Sequence, residues 1–275
     1  MANSRAVVLG GGGVTGVAWE IGMMHGLAEL GVDLSAADLY VGTSAGSVVA
    51  AQVTSGTPIG ELYERELADT SGDRNATIGL GVLLRYGLAM ALPGDRGRRR
   101  LGRAALRAKT VPESARREAI GARVPAGTPW PATRLRVPAI DARTGRVVVF
   151  DNDSGAPLLD AVAASCAVPL VWPPMTVNVT RYIDGGMRSL ANVDLAAGYA
   201  RVVVLAPGTL AARKKDRPEV QAAALGVPHA VVTPGKAALA AIGRNPLSPD
   251  RRAAAAEAGR KQAAEDFSKV KRVWD

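Results

Sequence analysis

The stretch AVVLGGGGVTGVAWEIGMMHGLAELG, residues 6–31, joins an apolar run typical of a β-strand to a helical pattern through four consecutive glycines. Glycines at such a turn tolerate positive φ and let backbone N–H groups approach a bound atom closely. The helix that follows adds positive potential at its N-terminus. The stretch therefore predicts a site for negative charge, which is either a phosphate or the transient oxyanion of an acyl-transfer reaction.

The same alternation of short strand-like runs and longer helical patterns continues along the chain. The runs, each followed by helix-compatible sequence, are RAVVL, LYVG, YID, RVVVLA and HAVVT. This order is typical of a three-layer α/β/α fold with a mostly parallel central sheet. One further pair, RLRVPAIDA and GRVVVF, is joined by RTG and predicts a hairpin.

Residues 72–130 break this rhythm, because they are rich in Arg and Ala and are punctuated by Gly and Pro. They predict a helical, cap-like insertion that covers the sheet without adding to it. The stretch after Pro249 predicts a C-terminal helix at about 250–273, with basic residues toward its end as the helix dipole favours. A chain of 275 residues, 48% of them hydrophobic, fits one large α/β domain.

The net charge of +9 is concentrated in this insertion. Residues 85–123 hold eleven basic and three acidic side chains, so eight of the nine excess charges lie there. Few aromatic residues accompany these arginines, which argues against a nucleic-acid partner. Two interpretations stay open: contact with an anionic membrane surface, to be tested at Arg98, Arg99 and Arg100, or a solvated helical surface.

Other compositional features narrow the chemistry and the location. The single cysteine, Cys166, excludes an internal disulfide, and with only His25 and His229 besides, no zinc site is expected. No apolar run approaches the roughly 20 residues that a membrane-spanning helix needs. The N-terminal residues enter a strand without the apolar core of a signal peptide. The sequence therefore predicts a cytoplasmic protein, with peripheral membrane contact as the open alternative.

A second glycine motif decides between phosphate and oxyanion. Gly11, Gly13 and Gly16 match the G-x-G-x-x-G of dinucleotide-binding folds, which would also require an acidic residue at the end of the second strand. Here the second strand is followed by GTSAG, residues 42–46. The G-x-S-x-G spacing at a strand-to-helix turn predicts a nucleophile elbow that exposes Ser44. Because the glycine loop lies one βα unit upstream, its N–H groups are expected to converge on an oxyanion formed at Ser44.

A nucleophilic serine needs a base. His25 and His229 lie in no recognisable catalytic motif, and a structural or surface role is the simpler interpretation of both. The stretch RYIDGGMRSLANVDLA instead places Asp184 at the end of a short strand, before Gly185 and Gly186. A turn there would present the carboxylate at the carboxyl edge of the sheet, although an ordinary turn aspartate is the alternative.

Taken in order, the glycine loop GGGGVTG, the elbow GTSAG and the DGG of residues 184–186 resemble the motifs of bacterial patatin-like phospholipases. The segment AASCAVPLVWPPM also resembles the family, and the resemblance runs from about residue 5 to about residue 206. It implies one patatin-like hydrolase domain over residues 1–275, with Ser44 as nucleophile and Asp184 as base. The implied oxyanion donors are Gly11, Gly12 and Gly13, and the other motif glycines are Gly16, Gly42, Gly46, Gly185 and Gly186.

The resemblance also implies an activity, namely hydrolysis of fatty acyl esters of lipids through an acyl-enzyme on Ser44, without metal or organic cofactor. Phospholipids, lysophospholipids and neutral acyl esters stay open as substrates. An acyltransferase using the same dyad and a non-catalytic lipid-binding protein of this fold are the alternatives. One residue departs from the pattern: the family commonly has Arg or Lys before the last glycine of the loop, where this chain has Thr15. Loop stability or head-group preference could differ as a result.

Overall fold

The computed structural model of the chain describes residues 3–68, 79–90, 92, 94–208 and 213–275. Residues 72–78, 91 and 93 of the predicted insertion lie outside these described residues. Within the described residues the chain forms one sheet of eight strands. The strands are β1 (Arg5–Leu9), β2 (Leu39–Gly42), β3 (Arg134–Asp141), β4 (Val147–Phe150), β5 (Met175–Val177), β6 (Thr180–Asp184), β7 (Arg201–Leu205) and β8 (His229–Val232).

Helices surround this sheet, and in the described parts of 72–130 they replace strands altogether. They are α1 (Gly13–Glu29), α2 (Ala45–Thr54), α3 (Ile59–Leu67), α4 (Leu80–Met90), α5 (Asp95–Ala105), α6 (Glu113–Gly121), α7 (Leu158–Ser165), α8 (Pro218–Ala224), α9 (Lys236–Ile242) and α10 (Arg252–Trp274). No helix in the described ranges is both long and apolar enough to cross a lipid bilayer.

The sheet is mixed but mainly parallel, with the strand order β5-β6-β3-β2-β1-β7-β8. All neighbouring pairs from β3 to β8 in this order are parallel. Strands β4 and β6 pair antiparallel with β3, and β5 pairs antiparallel with β6. This arrangement confirms the predicted α/β/α class and the hairpin joined by RTG.

Strand β6, which contains YID, corrects the expectation of a simple parallel alternation. Residues 178–179 alone join β5 to β6, and so short a connection joins antiparallel strands. The second half of β3 extends past the end of β2. Val41 of β2 pairs with Arg136, whereas Asp184 of β6 pairs with Ala139, which lies further along β3. Asp184 therefore reaches the carboxyl edge of the parallel strands from the opposite direction.

Alternate side chains of the central strands are buried on opposite faces, as the two-residue period of a strand requires. In β1, Val7 and Leu9 join the cluster formed with α1, α2, α7 and α10. Ala6 and Val8 join the cluster on the other face, formed with residues 191–199 and α8. Burial on both faces explains why the parallel strands are continuous apolar runs in the sequence.

Candidate active site

Ser44 lies between β2 and α2 with φ 51° and ψ −116°. A non-glycine residue in this region stores strain on the order of 1–3 kcal/mol, which the surrounding structure must hold. The flanking glycines permit the tight packing that does so, because a Cβ at Gly46 would clash with the Leu9 carbonyl group and one at Gly42 would lie 2.6 Å from the Gly46 carbonyl oxygen. The serine side chain is thereby held at the turn.

Asp184 contacts the serine directly. The Ser44 Oγ donates a hydrogen bond of 2.7 Å to Asp184 Oδ2, and the Gly186 N–H donates one of 2.7 Å to Asp184 Oδ1. The carboxylate is 2% exposed. Burial raises the pKa of Asp184 to about 6, although the hydrogen bonds from Ser44 and Gly186 and the charge of Arg116 oppose that rise. At neutral pH the carboxylate is thus ionised, yet more basic than an exposed aspartate.

The elbow does not expose Ser44 to bulk solvent, which corrects the expectation from the sequence. Ser44 is 8% exposed and opens instead into a cavity of about 360 Å³. Helix α6 of the insertion forms one wall of this cavity. The apolar lining includes Val14, Val17, Val48, Val111, Ile120 and Leu247.

The glycine loop borders the same cavity through Gly13, the first residue of α1, which has φ 66°. The Gly11 N–H is already donated to the Leu190 carbonyl oxygen at 2.7 Å. Of the three predicted donors, Gly12 and Gly13 have N–H groups that meet no acceptor in the described part of the chain. A Cβ at Gly12 would lie 2.6 Å from Pro207 Cγ, so the loop has no room for a side chain there.

Thr15, which stands where the family commonly has a cation, is fully buried. Its N–H and its Oγ1 both donate to the Pro246 carbonyl oxygen, at 3.1 and 3.2 Å. Gly16, one residue on, packs against Pro207. These contacts fasten the start of α1, so the threonine stabilises the loop by hydrogen bonding and contributes no charge to the site.

Two polar residues that the sequence did not single out, Ser165 and Asn192, form hydrogen bonds to the backbone and side chains next to Ser44 and Asp184. Ser165 Oγ accepts the Ser44 N–H at 3.0 Å and donates to the Pro138 carbonyl oxygen at 2.7 Å. Asn192 Nδ2 donates to Thr43 Oγ1 at 3.1 Å and contacts the Gly185 carbonyl oxygen at 3.4 Å. Ser165 lies in the segment AASCAVPLVWPPM, so the resemblance of that segment was a signal that could have found it.

Arg116 of α6 is the third residue that sequence reasoning missed. Its Nη2 donates to the Cys166 carbonyl oxygen at 3.2 Å, and its Cζ lies 4.3 Å from the centroid of the Trp172 ring. Both Arg116 and Trp172 line the cavity. Burial lowers the pKa of Arg116, whereas the neighbouring Cys166 and Asp184 raise it.

The other candidate side chains lie outside the hydrogen bond between Ser44 Oγ and Asp184. His25 stacks on Tyr63 with ring centroids 4.6 Å apart, and His229 is exposed at the start of β8. Neither histidine lines the cavity that contains Ser44. Cys166 is buried, and its Sγ donates to the Ser44 carbonyl oxygen at 3.2 Å. Burial raises the pKa of that thiol to about 11, so it is neutral.

Comparisons with known proteins identify the family and the fold. A family model described as patatin-like phospholipase matches residues 7–197. No curated protein matches the chain significantly. The structure of VipD from Legionella pneumophila matches with a TM-score of 0.52 and 14% identity, over 98% of this chain and 67% of VipD. Full-length ExoU from Pseudomonas aeruginosa, solved in complex with SpcU, matches with a TM-score of 0.43 and 16% identity, over 100% of this chain and 53% of ExoU. The likeness to VipD is one of fold, and this chain spans about half the length of ExoU.

Proposed function

Because this chain belongs to the patatin-like phospholipase family, we propose that it hydrolyses acyl esters of lipids through an acyl-enzyme on Ser44, with Asp184 as the base. Family membership by itself implies lipid acyl hydrolysis. The observation that carries the finer proposal is the 2.7 Å hydrogen bond from Ser44 Oγ to Asp184 Oδ2. This hydrogen bond lies beside a mainly apolar cavity of about 360 Å³, and an apolar cavity supports an acyl chain as the group that the site binds.

In the acylation step, Ser44 Oγ attacks the ester carbonyl carbon while Asp184 accepts the serine proton. The electron pair of the carbonyl double bond moves to oxygen, and the resulting oxyanion accepts hydrogen bonds from the Gly12 and Gly13 N–H groups. The N-terminus of α1 adds positive potential at the same place. When the tetrahedral intermediate collapses, the ester C–O bond breaks and the leaving alcohol takes the proton from Asp184.

In the deacylation step, a water molecule attacks the acyl-serine carbonyl carbon and gives its proton to Asp184. The oxyanion forms again at the glycine loop. Collapse breaks the bond to Ser44 Oγ, which recovers its proton from Asp184, and the fatty acid is released. Both steps use the same base and the same donors, so no further titratable group is required.

A carboxylate is a weak base toward a serine hydroxyl, and two features of the site compensate. Burial raises the pKa of Asp184 to about 6, which brings it closer to the working pH of a general base. The enclosure of Ser44 keeps the effective dielectric constant low, so the Gly12 and Gly13 donors stabilise the oxyanion more strongly than they would in water. The site depends on electrostatic stabilisation more than on the strength of its base.

The proposal predicts that a fluorophosphonate probe labels Ser44 covalently and that Ser44→Ala abolishes both labelling and esterase activity. Asp184→Asn keeps the shape of the side chain and removes its charge, so kcat should fall on the order of 10² to 10⁴, the range of general acid–base catalysis. The measurements are mass spectrometry of the labelled peptide and hydrolysis of p-nitrophenyl butyrate.

His229→Gln is the matched control, because a histidine-dependent hydrolase is the competing mechanism. We expect this variant to stay within about tenfold of the parent, since His229 is exposed and lines no part of the cavity. A label on another serine would contradict the nucleophile. A His229→Gln variant that is folded by circular dichroism yet as damaged as Asp184→Asn would contradict the base.

A further inference from the structure

Arg116 is a half-buried arginine that forms no salt bridge within the described residues, although the nearby charge of Asp184 favours its charged form. Its Nε atom is inaccessible to solvent and meets no hydrogen-bond acceptor in the described part of the chain. Among the described residues, Arg116 Nη2 donates to the neutral Cys166 carbonyl oxygen at 3.2 Å. Removing a charged group from water is costly unless the group is paired and hydrogen-bonded, so the partly satisfied guanidinium keeps the capacity to bind an anionic group. The other arginine of the cavity wall, Arg123, differs because it pairs with Glu66 at 2.6 Å.

The helix that bears Arg116 is fastened to the body of the protein on two sides. Arg117 pairs with Asp160 of α7 at 2.8 Å, and Glu113 accepts the Thr176 N–H at 2.6 Å. On the other side, Glu66 of α3 bridges Arg123 and Arg252 of α10. The Trp172 ring supports the guanidinium itself. Arg116 is thus held in the cavity before any ligand arrives.

The guanidinium also lies close to the reacting serine. Arg116 contacts the Cys166 carbonyl group, and Cys166 in turn contacts the Ser44 carbonyl group, so one residue separates the cation from the nucleophile. The rest of the cavity is mainly apolar, and the glycine loop contributes no cation because Thr15 is neutral. A substrate that combines an acyl chain with an anionic group a few covalent bonds from the ester would therefore meet both features of the cavity.

We propose that Arg116 binds the phosphate of a glycerophospholipid whose ester lies at Ser44, and that it thereby makes the enzyme prefer phospholipids to neutral glycerides. Phosphate suits the site because a guanidinium donates two parallel hydrogen bonds to it. In a glycerophospholipid only a few covalent bonds separate an ester carbonyl carbon from the phosphorus atom. The preference for phospholipid substrates rests on the proposed hydrolase function, whereas phosphate binding by Arg116 does not depend on that function.

The test compares two short-chain substrates that differ only in the head group, dihexanoylphosphatidylcholine and dihexanoylglycerol. Both dissolve as monomers, so adsorption to a lipid surface does not contribute. Arg116→Met keeps an apolar stem on Trp172 and removes the charge. We expect the ratio of kcat/KM for the phospholipid to that for the glyceride to fall on the order of 30-fold or more, the loss seen when one partner of a buried charge pair is removed. Arg116→Lys should restore part of the ratio.

A binding measurement separates this inference from the hydrolase proposal. By calorimetry, the parent protein should bind hexyl phosphate and Arg116→Met should bind it at least about 30-fold more weakly. Inorganic phosphate should bind far more weakly than hexyl phosphate, and equal affinity would overturn a lipid ligand in favour of a free phosphate. If the parent hydrolyses neither ester but binds hexyl phosphate through Arg116, the phosphate site stands and the hydrolase proposal fails.

Arg272→Met, on the exposed end of α10, is the matched control and should leave the substrate ratio and hexyl phosphate binding unchanged. Equal losses on both substrates in Arg116→Met would overturn the proposal, because a residue that only positions Cys166 and Trp172 affects every ester alike. An unchanged ratio together with unchanged hexyl phosphate binding would overturn it as well. Thermal melting shows whether each variant is folded.

Discussion

Asp184 is the residue in which burial and hydrogen bonding oppose each other most clearly. Desolvation disfavours its ionised form, whereas the Ser44 hydroxyl and the Gly186 N–H favour that form. Desolvation is the larger effect, and the pKa rises to about 6. Gly186 must be glycine for this arrangement, because a Cβ there would lie 2.9 Å from Asp184 Oδ1 and displace the carboxylate.

The raised pKa of Asp184 predicts the pH dependence of activity. A base must be ionised to accept the serine proton, so kcat/KM should be constant at neutral pH and fall as the pH drops through about 6. The measurement is hydrolysis of p-nitrophenyl butyrate, whose own charge does not change in this range. The residual activity of Asp184→Asn should lack this acidic limb. A parent profile that stays flat well below pH 6 would exclude Asp184 as the base.

At the scale of elements, α1 and α10 pack against each other through glycines that let their backbones approach closely. Gly22 and Gly26 of α1 face the backbone of α10 at Ala256 and Arg260, and Gly259 of α10 faces the backbone of α1 at Trp19. Arg260 then reaches Glu29 with two hydrogen bonds, of 2.7 and 2.8 Å. The helix that begins at the glycine loop is thus held by the helix that ends the chain.

This packing predicts that Gly26→Ala destabilises the protein. An added Cβ would lie 2.6 Å from the Arg260 carbonyl oxygen and 2.7 Å from Ala263 Cβ. Overpacking costs about 1–3 kcal/mol, whereas alanine gains at most about 1 kcal/mol over glycine in a helix, so the free energy of unfolding should fall. Gly87→Ala in α4 is the control, because its Cβ meets open space. Urea denaturation measures both variants, and equal stability would refute the packing argument.

At the scale of the whole molecule, the basic insertion has exposed apolar side chains on α4 and exposed cationic side chains on α5, two helices that contact each other. Leu84 and Leu88 lie one turn apart on α4 and are 62% and 61% exposed. The Tyr86 hydroxyl donates to the Pro169 carbonyl oxygen at 2.6 Å, which places α4 beside the segment that borders the cavity. The exposed arginines of α5 are Arg96, Arg99, Arg100 and Arg103. We propose that this surface meets anionic membranes.

Replacing Arg99, Arg100 and Arg103 with serine should therefore weaken binding to vesicles that contain phosphatidylglycerol. Each basic residue near such a surface contributes about 1 kcal/mol, so the loss should approach roughly 3 kcal/mol, or about 100-fold, and should shrink as salt is added. Sedimentation with the vesicles measures it. Arg98 is left in place because its Nε donates to the Gly145 carbonyl oxygen at 2.9 Å and thus supports the fold.

The control for this surface removes the same charge elsewhere, by serine substitution of Lys261, Lys271 and Arg272 on α10. These side chains are exposed, so the variant tests net charge without touching α5. If both triple variants lose vesicle binding equally, the attraction comes from net charge alone. If neither loses it, the insertion is simply a solvated surface and the membrane proposal is wrong.

The sequence by itself determined the elements and the motifs, because these depend on neighbours in the chain. Strand β1, the glycine loop and the Ser44 turn follow from short-range rules on β-branched runs, glycine conformations and helix starts. The mostly parallel sheet followed from the alternation of strands and helices. The three motifs also indicated the family, which the match over residues 7–197 confirms.

Only the tertiary structure decided how residues far apart in the chain meet. Ser44 and Asp184 are separated by 140 positions, and their contact depends on β6 pairing antiparallel with the extended end of β3. This pairing joins segments that are far apart in the chain, so it depends on how the tertiary structure packs. The cavity beside Ser44 and the position of Arg116 depend likewise on how α6 packs against α7 and on the ion pair between Arg123 and Glu66. Burial and charge pairing are properties of the assembled molecule.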